Sequence, residues 1–199
     1  MFTVCPRTGV PAVGTQRRVT MRGFRGAKTT AGPLMWTSDR DKEGMIVLSL
    51  DPDVAEIADC PIDLPHGSSG VLTTQRDGTA TIVVFTDDDV KIMDDHAGIP
   101  VVQRTESDLR AEPGRTTRQA IWSARNSNVP FAGRFAVLSA LEKAGGSLSL
   151  GDLADAGLTD AVARLACDDE IGIDLGHPLS RTTNVWRIEK TNVKEDIAA

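Results

Sequence analysis

The sequence predicts a mixed α/β (α+β) core followed by a smaller, mainly helical C-terminal domain. Between residues 36 and 125, helix-like and hairpin-like patterns alternate, as expected when helices pack on a sheet. A turn-rich stretch, 126–130, then precedes three further helical segments and a second hairpin. A chain of 199 residues is long enough to bury a core in each of two such units.

The first predicted helix begins just after Trp36. Ser38 is a good N-cap, and Asp41 stands three residues later, at the acidic position of a capping box. The apolar run MIVL supplies a buried side. Asp51-Pro52 ends the helix, because proline cannot continue it.

A β-hairpin is predicted next. Two β-rich runs, VLTT and TATIVVF, are joined by Arg76-Asp77-Gly78, which favours the positive φ of a tight turn. A further strand, IPVVQRT, follows Gly98. The stretch ESDLRAEPGRTTRQAIWSAR then predicts a short helix, a turn and a second helix.

The C-terminal region has the pattern of a winged helix, a variant of the helix-turn-helix. Its segments are FAGRFAVLSALEKAG, SLSLGDLADAG, LTDAVARLACDDE with Thr159 as the expected cap, and the hairpin IGIDLGHPLSRTTNVWRIEK. The first segment carries its apolar residues at helical spacing: Phe131, Phe135, Leu138 and Leu141. The hairpin has its tip at residues 176–184.

The third of these helices is acidic, which argues against its entry into a DNA groove. It holds Arg164 against four acids: Asp160, Asp168, Asp169 and Glu170. The hairpin tip and its second strand, with His177, Arg181 and Arg187, form the better nucleic-acid surface. Docking to a protein is an equally good role for this domain.

Charge is distributed unevenly along the chain. Its net charge is −6, yet residues 1–38 contain six bases and no acid, while the other 161 residues hold all 28 acids. A basic, Gly- and Thr-rich arm of this kind suits contact with a phosphate backbone. The alternative is a tail that lies on the protein's own acidic surface. The DNA-binding candidates are Arg17, Arg18, Arg22, Arg25, Lys28 and Arg181.

The predicted organisation is a flexible basic arm (1–35), the α/β core (36–125), the winged-helix domain (126–190) and a short tail (191–199). No apolar run is long enough to cross a membrane, and the N-terminus lacks the pattern of a signal peptide. Three widely spaced cysteines suggest reduced thiols, so we expect a cytoplasmic protein. Isolated histidines make a zinc site improbable.

The order of these motifs resembles the TnsA-type transposon endonucleases, nuclease-fold partners of a DDE transposase. The segments that carry the resemblance are WTSDRDKE, MIVLSL, DPDVAEIADCP, TTQRDGTATIVVFT, RTESDLRAEP and the module at 131–190. They cover the chain from about Arg22 to about Trp186. The resemblance implies a restriction-endonuclease-like mixed sheet core with a C-terminal winged helix.

The same resemblance implies a Mg²⁺ site, and most of that site is missing from this chain. Only Asp41 retains an acid at a family catalytic position, while Gly70, Val84 and Thr86 replace the hairpin Asp, the strand acid and the Lys. One carboxylate offers too few oxygen ligands for Mg²⁺. We therefore predict no catalytic residue, no metal site and no cofactor, with Mg²⁺ relevant only if activity is retained.

A shifted pair, Asp89 and Lys91 in TDDDVK, could restore an acid-x-Lys motif. It lies five residues further on, about 16 Å along an extended strand. The favoured interpretation of TDDDVK is a strand that ends in water.

The sequence thus predicts a catalytically degenerate TnsA-like protein that binds DNA, a transposase-like or regulatory protein partner, or both. One alternative is a transcriptional regulator built on a repurposed nuclease fold. Another is an active Mg²⁺-dependent endonuclease with migrated ligands. No membrane partner is expected.

Overall fold

The computed structural model of the protein describes residues 22–64 and 67–189, which form ten strands, six α-helices and a 3₁₀ turn. The strands are β1 (Arg22–Phe24), β2 (Leu34–Trp36), β3 (Val54–Asp59), β4 (Ser69–Gln75), β5 (Ala80–Thr86), β6 (Asp95–His96), β7 (Ile99–Thr105), β8 (Ser147–Ser149), β9 (Ile171–Ile173) and β10 (Asn184–Arg187). The helices are α1 (Asp39–Leu50), α2 (Glu106–Arg110), α3 (Gly114–Ser123), α4 (Phe131–Lys143), α5 (Leu150–Asp155) and α6 (Thr159–Cys167), and the 3₁₀ turn Ala124–Asn126 follows α3.

A five-stranded mixed sheet, in the order β3-β4-β5-β7-β6, forms the centre of the core. Strands β3, β4 and β5 are antiparallel neighbours, and β5 pairs with β7 in parallel. Helix α1 packs closely on one face, because a Cβ on its Gly44 would lie 2.2 Å from the Phe85 ring. The predicted α+β class is confirmed.

Local sequence signals placed these elements well. Ser38 caps α1, and the capping box with Asp41 is present. Helix α1 ends immediately before Asp51-Pro52. The hairpin of β4 and β5 turns at residues 76–79, as the Asp-Gly pair predicts.

The N-terminal boundary differs from the prediction of a flexible arm over residues 1–35. Residues 22–36 form the small antiparallel hairpin of β1 and β2, and Phe24 and Leu34 are buried in the core. Apolar contact therefore holds this segment on the protein. The first part of the predicted arm lies outside the described residues.

The C-terminal domain runs α4, β8, α5, α6, β9, β10, with a three-stranded antiparallel sheet in the order β8-β10-β9. Thr159 is not the N-cap of α6, contrary to the prediction. Leu158 occupies that position, and no side chain caps the helix.

Helix α4 buries a different set of residues from the four named by its apolar spacing. Val137 and Leu141 are fully buried, whereas Phe131 and Phe135 are 80% and 61% exposed. Their rings stack on each other at 6.2 Å between centroids. The N-terminal turn of α4 thus extends beyond the core.

One apolar cluster runs through both domains, across residues 126–130. Helix α6 packs against α3 and against the 3₁₀ turn Ala124–Asn126. A buried ionic group adds to this junction: Asp169 pairs with Lys28 at 3.3 Å and with Arg76 at 2.6 Å. The three residues come from the N-terminal segment, the β-hairpin turn and the turn after α6, and together they join the two predicted domains.

Within residues 22–64 and 67–189, no helix has both the length and the apolar character needed to cross a bilayer. The longest, α4, has 13 residues, whereas a spanning helix needs about 20.

Candidate functional site

Asp41 lies at the start of α1 and is only 1% exposed. Its Oδ2 accepts hydrogen bonds from the backbone N–H groups of Thr37 and Ser38, at 3.1 and 3.0 Å, and from the Thr37 hydroxyl. Its Oδ1 accepts a 2.5 Å hydrogen bond from the Ser69 hydroxyl. Burial raises the pKa of Asp41, but these hydrogen bonds outweigh it and hold the pKa below the ordinary value.

Arg40 provides the positive charge of this site. Its guanidinium donates to Asp87 at 2.5 Å and to the carbonyl of Gly67 at 2.7 Å. It also lies 3.6 Å from Oδ1 of Asp41. One arginine therefore ties the start of α1 to the segment before β4 and to the end of β5. We call Arg40, Asp41, Ser69 and Asp87 the Arg40 cluster.

Residues of β5 alternate between two faces of the sheet, and only one face meets the Arg40 cluster. Phe85 points towards α1, as its closeness to Gly44 shows. Asp87, two residues on, reaches Arg40 on the same side. Ser69, which pairs with Phe85 across the hairpin, points at Asp41.

Gly70, Val84 and Thr86, which the resemblance aligns with the missing catalytic side chains, do not face Asp41 in the structure. Gly70 pairs with Val84, but a Cβ on Gly70 would meet Leu64 and Cys60 rather than α1. A shift of one residue turns every side chain of a strand to the other face. The residues that face Asp41 are Ser69, Phe85 and Asp87.

Val84 and Thr86 are fully buried on the opposite face. The Thr86 hydroxyl accepts a 2.7 Å hydrogen bond from the Gln103 side chain, which also donates to the carbonyl of Val90. The segment after β5 thus folds back over this face, and neither residue is accessible to a ligand.

Asp89 and Lys91 do not form a second site. Strand β5 ends at Thr86, and both side chains are exposed in the segment that follows. Among the described residues, no group of three or more His, Cys, Asp or Glu side chains could hold a metal ion. The neighbouring Asp88 is bound instead to the backbone N–H and hydroxyl of Ser107, near the start of α2.

The Arg40 cluster does not fit Mg²⁺. Both oxygens of Asp41 already accept hydrogen bonds, and the guanidinium of Arg40 lies beside Asp41 and Asp87, where a cation would need to bind. Phe85 stands opposite Ser69 in place of an oxygen ligand. A divalent cation would have to displace an arginine that is held at three points.

The DNA-binding candidates differ in their surroundings. Arg17 and Arg18 lie outside the described residues. Arg22 and Arg25 are exposed, and Arg22 lies over the Trp36 ring at 5.4 Å. Arg181 is exposed but pairs with Asp155 at 2.5 Å, which offsets its charge.

Lys28 has to be removed from the candidates. Its side chain is 2% exposed and donates to the carbonyl of Asp51 while it pairs with Asp169. Burial lowers its pKa, although Asp169 opposes this effect. Its ammonium group is enclosed in the domain junction and cannot reach a phosphate.

Helix α6 is largely buried. Its Ala161, Val162, Leu165, Ala166 and Cys167 are buried, and its base, Arg164, binds Asp168 at 2.8 Å. Helix α6 also packs against α3. The expectation, drawn from its acidity, that α6 does not read DNA stays a prediction.

Sequence reasoning missed Arg40 and Ser69. Arg40 directly precedes Asp41 in the sequence. Its role depends on contacts with Gly67 and Asp87, which lie 27 and 47 residues away in the chain. Ser69 begins β4, and its role depends on a contact with Asp41, 28 residues earlier in the chain.

No protein-family model matches the chain, and a search of curated proteins finds no significant match.

Proposed function

We propose that the protein is a catalytically inactive, cytoplasmic relative of the TnsA-type transposon endonucleases that binds DNA and a protein partner. The Arg40 cluster carries this proposal. It contains Asp41, the one acid that the resemblance aligns with a family catalytic position, at the start of α1 beside a central hairpin. Yet a guanidinium and a phenyl ring stand there in place of metal ligands.

The topology of the core supports a nuclease-like origin. Helix α1 precedes three antiparallel strands, and the last of them pairs in parallel with β7. This matches the mixed sheet that the resemblance implies. Asp41, at the N-terminus of α1, contacts Ser69 at the start of β4, so that the helix and the hairpin meet at one edge of the sheet.

The C-terminal domain supports the winged-helix part of the proposal. Its order of helix, strand, two helices and hairpin, with a three-stranded sheet, is the order expected of a winged helix and supports this part of the proposal. Because α6 is buried in the junction, we assign protein docking to this domain. DNA contact then belongs to the basic N-terminal segment, which includes the exposed Arg22 and Arg25.

A cleavage assay tests the loss of catalysis. Supercoiled plasmid is incubated with the protein in Mg²⁺ or Mn²⁺, alongside the variants Asp41→Ala and Asp89→Ala. We expect no metal-dependent nicking above the buffer control. Nicking that disappears in either variant would show a working site and overturn the proposal of an inactive nuclease.

A binding assay tests the DNA contact. The variant Arg17→Ala/Arg18→Ala/Arg22→Ala/Arg25→Ala should bind a duplex more weakly and show a smaller dependence of log Kd on log salt, because fewer counterions are released. Equal affinity of variant and wild type at low salt would exclude the basic segment from DNA binding.

A transcriptional regulator on the same fold is the second candidate. The burial of α6 limits how such a regulator could recognise a DNA sequence. Without a recognition helix in the major groove, base-specific readout would have to come from the hairpin tip or the N-terminal segment. Genes for a DDE transposase and an AAA+ ATPase next to this gene would favour the transposition role. Their absence, together with binding to one promoter, would favour the regulator.

A further inference from the structure

A cavity of about 210 Å³ opens where three parts of the chain meet. Arg25 and its neighbours form one wall, Trp122 and Arg125 at the end of α3 form the second, and Cys167 and Asp168 after α6 form the third. At ~30 Å³ per water molecule, the volume suits a small, hydrated polar group. The cavity lies at the domain junction, away from the Arg40 cluster.

The charges around this cavity are predominantly positive. Arg25 and Arg125 are both exposed, and neither pairs with a carboxylate among the described residues. Asp168 is the only carboxylate among the lining residues, and its Oδ2 already accepts 2.8 Å hydrogen bonds from Arg134 and Arg164. The acid is thus neutralised from outside the cavity, while the two arginines are not.

Arg125 is held in place without an acidic partner. Its guanidinium lies 5.3 Å from the centroid of the Trp122 ring, and its Nη1 donates to the carbonyl of Trp122 at 3.2 Å. Trp122 is itself fixed, because its ring stacks on Phe24 at 5.2 Å with an interplanar angle of 4°. Stacking orients a guanidinium and leaves N–H groups free for a phosphate.

We infer that this cavity binds a phosphate of the DNA backbone between Arg25 and Arg125. Two arginine side chains with free donors suit the tetrahedral oxygens of a phosphate. Because both side chains are exposed on the rim, the bound phosphate can belong to a polymer that continues past the cavity. In the sequence, Arg25 is also the last exposed base of the segment that holds Arg17, Arg18 and Arg22.

This inference rests on the proposed DNA binding and adds a residue, Arg125, that the basic segment does not contain. The site is a phosphate contact, so it contributes affinity and orientation but no base sequence information. It also places bound DNA at the junction of the two domains.

Fluorescence anisotropy with a labelled 30-base-pair duplex, between 50 and 200 mM KCl, tests the site. The variant Arg25→Gln/Arg125→Gln should bind at least about tenfold more weakly at 50 mM KCl, with a salt slope lower by about 1 to 2. The matched control, Arg104→Gln/Lys143→Gln, removes two exposed charges elsewhere. It should bind within about twofold of the wild type, because it loses only long-range attraction.

Each outcome has a distinct meaning. If wild type binds and the two double variants weaken binding equally, the cavity is not a phosphate site, although the proposed DNA binding stands. If wild type does not bind at 50 mM KCl, the DNA-binding proposal and this inference both fail. The single variant Arg25→Gln changes one exposed side chain and should show a partial loss of DNA affinity. Far-UV circular dichroism of every variant shows whether the double variant is folded.

Discussion

The carboxylate of Asp41 accepts hydrogen bonds from Thr37, Ser38 and Ser69, and these explain how it stays ionised while almost fully buried. Of the groups that lower its pKa, Ser69 contributes most. Such groups stabilise a charged carboxylate without a metal, since each donor is already aligned by the capping box or by the strand.

Replacing Ser69 by Ala should destabilise the protein in a pH-dependent way. The hydrogen bond to the Asp41 carboxylate is lost, so the free energy of unfolding at pH 7 should fall by about 2 kcal/mol. Because Ser69 lowers the folded-state pKa, its contribution is complete above the unfolded pKa of ~3.9 and disappears as the pH falls through the lower folded-state pKa. Urea unfolding at several pH values measures the difference.

Ser68 provides the matched control, because its buried hydroxyl has no hydrogen-bond partner among the residues that the structure describes. Ser68→Ala should therefore leave the free energy of unfolding unchanged or slightly higher. If Ser69→Ala and Ser68→Ala proved equivalent at pH 7, the contact between Ser69 and Asp41 would not stabilise the site.

Gly70 tests which face of β4 is packed against neighbouring residues. A Cβ at this position would lie 2.9 Å from Leu64 Cδ1 and 3.0 Å from the backbone oxygen of Val83. Gly70→Ala should lower the free energy of unfolding by about 1–3 kcal/mol through overpacking. The control Gly133→Ala, in helix α4 with 3.5 Å to its nearest neighbour, should instead be neutral or stabilising. Tolerance of Gly70→Ala in urea unfolding would mean that this face of β4 is open.

At the scale of the element, two helix starts that look similar in the sequence differ in the structure. Ser38 accepts a hydrogen bond from the backbone N–H of Asp41 at 3.1 Å, whereas no side chain caps α6 at Leu158. The hydroxyl of a threonine one position inside a helix is not placed to accept a hydrogen bond from an unpaired backbone N–H of the first turn.

Ser38→Ala should therefore lower the free energy of unfolding by about 1 kcal/mol, and Thr159→Ala by less than about 0.5 kcal/mol. Chemical denaturation of both single variants under the same conditions measures the contrast. An equal loss in the two variants would indicate that Thr159 does act as a cap.

The elements that sequence reasoning located correctly are those with local causes. The start of α1, its end at Asp51-Pro52 and the turn at Asp77-Gly78 each depend on residues within four positions of one another. The face of each strand at the site could not be fixed in this way. It depends on the register of β4, because a shift of one residue would place Gly70 instead of Ser69 on the side of Asp41.

At the scale of the whole molecule, the junction between the domains depends on partners far apart in the sequence. Lys28 was predicted to contact DNA because its segment is basic, but its partner Asp169 lies in the turn directly after α6. No local pattern links these two residues. The same long-range packing buries α6, whose acidity alone had indicated that it avoids DNA.

Asp169 connects Lys28 and Arg76, and it adopts a positive φ of 59°. Asp169→Asn tolerates that backbone conformation, so the change removes mainly the charge. It leaves a buried ammonium without its counter-ion, and the free energy of unfolding should fall by about 3 kcal/mol. Lys28→Met removes the buried charge itself, so Asp169→Asn should cost much less in a Lys28→Met background.

Urea unfolding, followed by tryptophan fluorescence and by circular dichroism, measures this double-mutant cycle. Tryptophan fluorescence combines the signals of Trp36, of Trp122 in the core beside the junction and of Trp186 in the C-terminal sheet. In wild type, fluorescence and circular dichroism should change in one transition. In Asp169→Asn, we expect the transition of the C-terminal domain to separate or the single midpoint to fall. Additive effects of Lys28→Met and Asp169→Asn, with coincident transitions in both, would mean that this ion pair does not couple the domains, and that apolar packing of α6 on α3 alone holds them together.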